Sequence, residues 1–241
     1  MFRIGTSGYV YKEWKGGFYE GLPPSRWFDH YAARFDTVEL NGPFYRWPTR
    51  SAIDGWRAQA PPGFLYAVKA WKGLTHYKKL LACEDFLPRF LDTLSGLGRT
   101  LGPVLFQLPP HFRANADRLK AFLRILPRRG FRYAFEFRDA SWLDERIYGL
   151  LRDRNIAVVR TSTPEIDGPR GVFTADFGYW RLHGAEKWYS GRYGTKLRTI
   201  AAEMRASRRE GFAYFDNTGR GEAVDDALDL RRMLERRRKA V

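Results

Sequence analysis

The segment Tyr133–Trp142, YAFEFRDASW, decides the fold, because it is a short buried strand that runs into the start of a helix. Side chains alternate along a strand, so Phe135 and Phe137 point to one face while Glu136 and Arg138 point to the other. A parallel strand that is covered on both faces should be apolar throughout. An ionised Glu and Arg on one such face need partners, water or a ligand. The segment therefore predicts a buried strand that ends in a polar site.

The order of strand followed by helix recurs about eight times along the chain. The other predicted strands are Phe2–Ser7, Thr37–Asn41, Phe64–Ala70, Pro103–Leu108, Ile156–Thr161, Tyr179–His183 and Phe212–Asn217. This pattern predicts an α/β fold, a single TIM-like (β/α)8 barrel over residues 1–241. An open doubly wound sheet is the alternative architecture, but no G-x-G-x-x-G follows the first strand. The segment after the sixth strand, STPEIDGPRGVFTADFG, has no helical period and is expected to be irregular.

The helices are predicted from apolar residues at helical spacing and from residues that cap helix ends. They run from Ser25 to about Phe35, near Ser51–Gln59, over Glu84–Leu97, after a cap at Asn115, from Ser141 to Arg152, over Thr195–Glu210 and from near Gly221. Ser141 and Asp144 form an S-x-x-D capping box. We therefore interpret Ser141 as a helix cap and not as a nucleophile.

The composition indicates an ordered globular chain with a basic charge balance. Of 241 residues, 44% are hydrophobic and 16% aromatic, and the net charge is +15. Such a charge attracts polyanions, although many basic proteins bind none. The single cysteine, Cys83, excludes an intramolecular disulfide and is expected to be structural. The first residues lack the apolar run of a signal peptide and no stretch is long enough to span a membrane, so we expect a cytoplasmic protein.

Polar side chains follow the apolar parts of six or more of the predicted strands. Because active sites of such barrels lie at the carboxyl ends of the strands, we expect these side chains to converge on one pocket. They are Glu39, Asn41, Lys69, Gln107, Glu136, Arg138, Arg181, His183, Asp216 and Asn217. Alternation along the last strand places Asp216 and Asn217 on opposite faces, so they cannot line the pocket equally.

Roles follow from the chemistry of each side chain. Glu39 and Glu136 are candidates for an acid/base pair, and His183 is a candidate proton shuttle. A group of cations, Arg138, Arg181 and Lys69, is suited to an anionic group such as phosphate. Aromatic residues suited to stacking on a base or sugar are Tyr45, Trp47, Trp142, Trp188 and Tyr189. The alternative for each residue is structural: the Glu136–Arg138 pair neutralises a barrel centre and the aromatic rings pack.

The sequence leaves open whether the protein requires a cofactor. Glu39, Glu136, His183 and Asp216 are donor types that bind divalent ions. No H-x-x-H or C-x-x-C spacing supports a zinc site, and we assign no metal ligand.

The chain resembles the YecE-like family, domain of unknown function 72, on motifs that run in order along nearly its whole length. The motifs are IGTSGYVYKEWKGGFY, FDTVELNGPFYRWP, VKAWKGLTH, GPVLFQLPPHF, EFRDASW, YWRLHGAEKWYSGRYG and YFDNTGRGEA. The resemblance implies a TIM-like barrel and no settled activity. It implies roles for Glu39, Asn41, Tyr45, Lys69, His76, Gln107, Glu136, Arg138, Trp142, Arg181, His183, Tyr189 and Asn217. The family usually has two Asn residues in the last motif, where this chain has Asp216.

Three functional hypotheses follow. The first is an enzyme acting on a phosphate-bearing substrate, nucleic acid included, in the manner of a nuclease. The second is a sugar or sugar-phosphate enzyme that uses Glu39 and Glu136 as its acid/base pair. The third is a non-catalytic protein whose pocket holds an anion. Strong salt dependence of binding favours the first hypothesis, and binding that Glu136→Gln leaves unchanged favours the third.

Overall fold

Eight parallel strands form a nearly closed barrel in the computed structural model, which describes residues 1–236. The end of the basic C-terminal segment, residues 237–241, lies outside the described residues. The strands are β1 Phe2–Thr6, β2 Thr37–Leu40, β3 Leu65–Lys69, β4 Leu101–Gln107, β5 Tyr133–Glu136, β6 Ala157–Ser162, β7 Asp167–Gly168, β8 Phe177–Leu182 and β9 Glu210–Phe215. All except β7 belong to the barrel, so the predicted α/β barrel is confirmed.

The barrel strands follow the order β1-β9-β8-β6-β5-β4-β3-β2, and its seam lies between β1 and β2. One parallel bridge, Ser7 to Glu39, crosses that seam, and the amide of Gly8 donates to the Glu39 carbonyl at 2.8 Å. A Cβ at Gly5 would lie 2.3 Å from the Thr37 carbonyl oxygen. The close approach of the two backbones therefore requires glycine at this position.

The helices pack on the outside of the barrel. They are α1 Trp27–Ala32, α2 Gly42–Tyr45, α3 Arg50–Gln59, α4 Phe86–Ser95, α5 Ala116–Ile125, α6 Glu145–Arg152, α7 Lys196–Ala206 and α8 Glu222–Arg236. The predicted cap at Asn115 is confirmed, since its Oδ1 accepts from the Arg118 amide at 2.9 Å. None of the helices within residues 1–236 is long and apolar enough to cross a membrane.

Two predicted helix caps are wrong. Asp144 caps α6 by accepting from the Arg146 amide at 2.8 Å, while Ser141 Oγ accepts from the Ala114 amide at 2.8 Å. Ser141 lies in a short 3-10 turn that ends before α6 begins, so it cannot cap that helix. Its hydroxyl instead connects the loop after β5 to the loop after β4. Ser25 lies inside another 3-10 turn, Pro24–Arg26, and no side chain caps α1.

The connection after β6 is irregular, as its sequence predicts. The chain makes a hairpin in which β7 pairs antiparallel with the end of β6, matching Thr161 with Gly168 and Ser162 with Asp167. No helix lies between β6 and β8 in this part of the described chain. Thr163 stabilises the turn, because its Oγ1 accepts from the Ile166 amide at 2.7 Å.

The hydrophobic core has two layers, one between strands and helices and one inside the barrel. The inner layer contains Ala67, Leu105, Ala134, Ala157, Val159, Ala175, Phe177, Tyr179, Phe212 and Tyr214. Along several strands the inward residues change from apolar to polar toward the carboxyl end, as in β5 from Ala134 to Glu136. Cys83 is buried in the outer layer, and burial raises the pKa of its thiol to about 11. The floor of the barrel is therefore apolar and its carboxyl end carries the polar groups.

Candidate functional site

The guanidinium of Arg181 is the centre of the polar layer at the carboxyl end of the barrel. Arg181 projects inward from β8, and its Nη2 donates to Glu39 Oε1 at 2.8 Å while Nη1 donates to Glu136 Oε2 at 2.7 Å. Nη2 also lies 3.0 Å from Ser7 Oγ and 3.3 Å from Asp216 Oδ2, and Nε donates to Glu39. Every guanidinium nitrogen thus has a protein partner. Arg181 holds carboxylates in place and offers no free nitrogen to a substrate.

Glu39 is fully buried and fully hydrogen-bonded. Besides Arg181, it accepts from Ser7 Oγ at 2.8 Å and from the Tyr179 hydroxyl at 2.7 Å. Burial and the negative charge of Glu39 raise the pKa of Tyr179 well above its usual value, so the phenol stays protonated and donates. A carboxylate whose lone pairs are occupied in this way contributes to the structure of the site.

Glu136 is also fully buried, and besides Arg181 it contacts side chains from β4, β6 and the residue after β8. It accepts from Gln107 Nε2 at 2.9 Å and lies 3.3 Å from Thr161 Oγ1 and 2.9 Å from His183 Nε2. Burial alone would raise the pKa of Glu136, but the charge of Arg181 and the contact with His183 lower it well below its usual value. Glu136 is therefore an anion at neutral pH.

The ring of His183 lies between two carboxylates. Its Nε2 faces Glu136, and its Nδ1 lies 3.0 Å from Asp216 Oδ2. The second contact is close but poorly aligned, so Nδ1 has no well-formed hydrogen bond within the described residues. Burial would raise the pKa of Asp216, but His183 and the charge of Arg181 lower it. An imidazole with an acid group at each nitrogen is suited to pass a proton from one side to the other.

Lys69 lies at the rim of the barrel opening and has no anionic partner within the described residues. Its Nζ lies 4.1 Å from the centre of the Phe44 ring and makes no hydrogen bond or ion pair within residues 1–236. Burial and the charge of Arg181 lower the pKa of Lys69 to about 8, although nearby carboxylates act in the opposite direction. His76 follows in the next loop, and burial and the charge of Lys69 lower its pKa to about 4. A neutral His76 thus lies beside an amine that loses its proton easily.

Arg138 is the second cation at the rim. Its guanidinium carbon lies 4.3 Å from the centre of the Trp188 ring, and its Nη1 is 3.7 Å from Glu136 Oε1. Trp188 in turn stands edge-on to the ring of His183, with centroids 5.5 Å apart. Trp188, in the loop after β8, therefore contacts both His183 and Arg138. Unlike Arg181, Arg138 has a partly exposed side chain, at 12%.

Asn41 and the two predicted tyrosines lie around the same opening. Asn41 Nδ2 donates to Ser7 Oγ at 2.7 Å, and its Oδ1 is buried without a hydrogen bond among the described residues. Tyr45 and Tyr189 are exposed at 66% and 50%, and Tyr189 has a left-handed backbone with φ +61°. The structure thus brings together Glu39, Asn41, Lys69, His76, Gln107, Glu136, Arg138, Arg181 and His183, with Tyr45 and Tyr189 at the edge.

Two residues predicted to bind substrate lie away from the opening. Trp142 is fully buried, donates from Nε1 to the Phe112 carbonyl and stacks on Phe137 with centroids 4.9 Å apart. Asn217 points out of the barrel and donates to the Gly191 carbonyl at 2.9 Å and to Asp226 Oδ2 at 2.8 Å. Because these donors are used inside the protein, both side chains join loops and helices together.

Sequence reasoning left three residues of this site unnamed, Ser7, Thr161 and Tyr179, and named Asp216 without giving it a role in binding substrate or in catalysis. The alternation of side chains along a strand predicts that Tyr179 points inward, because it shares a face with Arg181. It predicts the same for Asp216, which shares a face with Tyr214. Ser7 and Thr161 come at strand ends and their sequence neighbours carry no such signal. The structure shows that Asp216, and not Asn217, faces His183.

The carboxylates are not arranged to hold a metal ion. Within residues 1–236, no group of three or more His, Cys, Asp or Glu residues has the geometry of a metal site. The reason is that Arg181 stands between Glu39 and Glu136 and occupies the oxygens that would ligate a cation. The donor types that the sequence offers therefore do not fit a metal in this arrangement.

Comparison with known proteins agrees with this architecture. The sequence model of the family described as "Protein of unknown function DUF72" matches residues 3–241. The chain belongs to the DUF72 family. It is 29% identical over 246 residues to the UPF0759 protein YunF of Bacillus subtilis, covering 85% of each chain. It is 32% identical to the UPF0759 protein YecE of Escherichia coli over 115 residues, which are 47% of this chain and 42% of YecE.

Solved structures share the fold over nearly the whole chain. A DUF72 family protein from Thermotoga maritima is 30% identical with a TM-score of 0.87, covering 98% of this chain and 99% of that one. A DUF72 protein from Enterococcus faecalis has a TM-score of 0.84 at 18% identity, with 97% and 95% covered. The IolI protein with a bound zinc atom has a TM-score of 0.57 at 10% identity, with 96% and 97% covered. At that identity the likeness concerns the fold alone.

Proposed function

We propose that this protein is an enzyme that acts on a small phosphate-bearing substrate at the carboxyl end of the barrel. The observation that carries this proposal is the position of His183, whose two ring nitrogens face Glu136 and Asp216 beneath a rim that holds two cations. Titratable groups held in contact at the carboxyl end of such a barrel are the usual basis of catalysis in this fold.

The substrate anion binds at the rim and not at the barrel centre. Arg181 is neutralised by Glu39, Glu136 and Asp216, so it adds little attraction for another anion. Arg138 has a partly exposed side chain whose guanidinium suits phosphate oxygens, and the charge of Lys69 has no ion-pair partner in the described chain. The rim is thus the part of the site that selects for negative charge.

The proton transfers belong to Asp216 and His183. Asp216 is the carboxylate of the group with a partly exposed side chain, at 14%, so it is the one that a substrate hydroxyl or a water molecule reaches. It accepts a proton in its ionised form, and His183 takes up that proton at Nδ1 while the Glu136 anion at Nε2 stabilises the charged ring. Such proton transfer serves hydrolysis and elimination equally, because both reactions remove a proton and protonate a leaving oxygen.

A panel of phosphate esters and sugar phosphates, followed by product detection, tests this function. His183→Asn is expected to lower kcat about 100-fold or more, as removal of a general acid or base usually does. His30→Asn on α1, outside the site, is the matched control and is expected to retain activity. Substrate turnover that His183→Asn leaves unchanged would remove the catalytic proposal. Phosphate binding without turnover of any compound would leave the non-catalytic anion-binding alternative.

Nucleic acid is the second candidate substrate, and the exposed tyrosines favour it. Lys72 Nζ lies 5.2 Å from the Tyr77 ring centre and 5.9 Å from the Tyr45 ring centre, and the two rings are exposed at 68% and 66%. Exposed aromatic rings beside cations are how many proteins bind single strands. Against this, eight arginines in loops at the opposite end of the barrel also attract polyanions: Arg34, Arg99, Arg128, Arg129, Arg132, Arg154, Arg208 and Arg209.

Labelled single-stranded, duplex and abasic-site DNA, and RNA, test this candidate in Mg²⁺, Mn²⁺ and EDTA. Cleavage by the wild type that Glu136→Gln loses would support a nuclease at this site. Salt-sensitive binding without cleavage, unchanged in Tyr45→Ala, would assign the affinity to the arginines at the other end. The sugar-enzyme alternative has less geometric support, because Glu39 and Glu136 bind the same guanidinium and neither is exposed.

A further inference from the structure

We propose that Lys69 is a nucleophile that forms an imine with an aldehyde or ketone substrate. This inference deepens the proposed function, because the carbonyl compound is held through its phosphate at the same rim. The substrate class is then a small aldehyde or ketone phosphate.

Three features of the position of Lys69 support this role. It ends β3 at the carboxyl end of the barrel, with its side chain directed inward above Ala67. Its Nζ lies over the ring of Phe44 and makes no hydrogen bond or ion pair within residues 1–236. A lysine that only neutralises a carboxylate would be paired, whereas this amine is left available for attack.

The surroundings of Lys69 keep part of it in the reactive, unprotonated form. The charged groups around it are Arg181, Glu136, Asp216 and Glu39, with His76 beside it, and burial acts with the charge of Arg181 to lower its pKa to about 8. The face of Phe44 attracts the ammonium and limits this shift. At pH 7 such an amine has about 200-fold more of its free form than an ordinary lysine.

The reaction balances without any further reagent. The Nζ lone pair forms a bond to the carbonyl carbon, the C=O π electrons move to oxygen, and that oxygen takes up a proton. Nitrogen then loses a proton, the oxygen takes up a second proton, and the C–O bond breaks with release of water. The protonated imine that remains loses its last N–H proton to give the imine. Asp216 and His183 supply and accept these protons, and Arg138 holds the phosphate.

Borohydride trapping tests the imine in the intact protein. Wild-type protein is incubated with dihydroxyacetone phosphate and then reduced with sodium borohydride, and the modified lysine is identified by peptide mass mapping. We expect one adduct, on Lys69, lost in Lys69→Arg and retained in Lys120→Arg on α5, outside the site. Label spread evenly over surface lysines in the wild type would overturn the proposal even if the variant fails to fold.

Unphosphorylated dihydroxyacetone separates this inference from the proposed function. If the phosphate compound traps Lys69 at least about tenfold more than the unphosphorylated one, the nucleophile and the phosphate site are both supported. A difference of that size is what Arg138 adds when it makes a charged hydrogen bond to the phosphate. Equal trapping by both compounds keeps the nucleophile and removes the phosphate site. Thermal stabilisation of the protein by dihydroxyacetone phosphate without any trapping keeps the phosphate site and removes the nucleophile.

Discussion

Arg181 and Glu136 are joined by a hydrogen-bonded ion pair of 2.7 Å in which both side chains are almost fully buried. The opposite side of the same guanidinium binds Glu39 at 2.8 Å. Burial lowers the pKa of Arg181, but the carboxylates around it raise the pKa well above its usual value. A single cation therefore connects strands from distant parts of the chain, β2, β5 and β8, at the point where the site begins.

Arg181→Met is expected to destabilise the protein by about 3–5 kcal/mol, because it leaves buried carboxylates without their cation. The measurement is the free energy of unfolding in urea. Arg57→Met is the control, since its pair with Asp54 is more than half exposed and such pairs contribute about 1 kcal/mol or less. Equal losses in the two variants would contradict a structural role for Arg181.

The free energy of unfolding is expected to fall as the pH drops below 4.5. Glu136 and Asp216 have folded pKa values below their ordinary ones, so their contribution is present above the unfolded pKa and is lost as pH falls through the folded pKa. Glu136→Gln removes one of these groups and should give a shallower slope in this range. Urea titrations at a series of pH values measure it, and parallel slopes for the two proteins would speak against the buried charge.

Lys69 is expected to react with a small acylating reagent along a curve with its midpoint near pH 8. The free amine is the reactive form, so the rate rises with pH through that midpoint and then levels off. An ordinary lysine reacts with a midpoint near pH 10.4, and a short lysine-containing peptide added to the sample is the reference. Mass mapping of both lysines in one sample provides the comparison. Identical curves would show that burial does not perturb Lys69.

Trp142→Phe is expected to cost about 1–3 kcal/mol of stability, because it leaves the buried Phe112 carbonyl without its donor. Its effect on phosphate binding, read from ligand-induced thermal shifts, should be small. Arg138→Met should show the reverse, with weaker phosphate binding and little loss of stability. A Trp142→Phe protein that is stable but binds no phosphate would restore the substrate-binding role expected from the sequence.

The sequence by itself determined the barrel and the level of the site within it. Strands that repeat with helices give the architecture, and alternation fixes which side chains point inward, as for Glu39, Glu136 and Arg181. These signals are local, because the period of two depends only on backbone geometry. The same signals could not tell whether an inward Arg binds a ligand or its neighbours.

Only the tertiary structure decided which side chains bind one another in the site. Arg181 meets Glu39, 142 residues earlier in the chain, and no local pattern encodes that contact. Trp142 and Asn217 carry the same donor groups as substrate-binding residues, yet their donors end on backbone and carboxylate oxygens of neighbouring loops and helices. Lys69 has no ion pair within residues 1–236, where the carboxylates near it, Glu39, Glu136 and Asp216, bind Arg181. Hydrogen-bond satisfaction is a property of the packed chain as a whole, and so it appears only when distant segments meet.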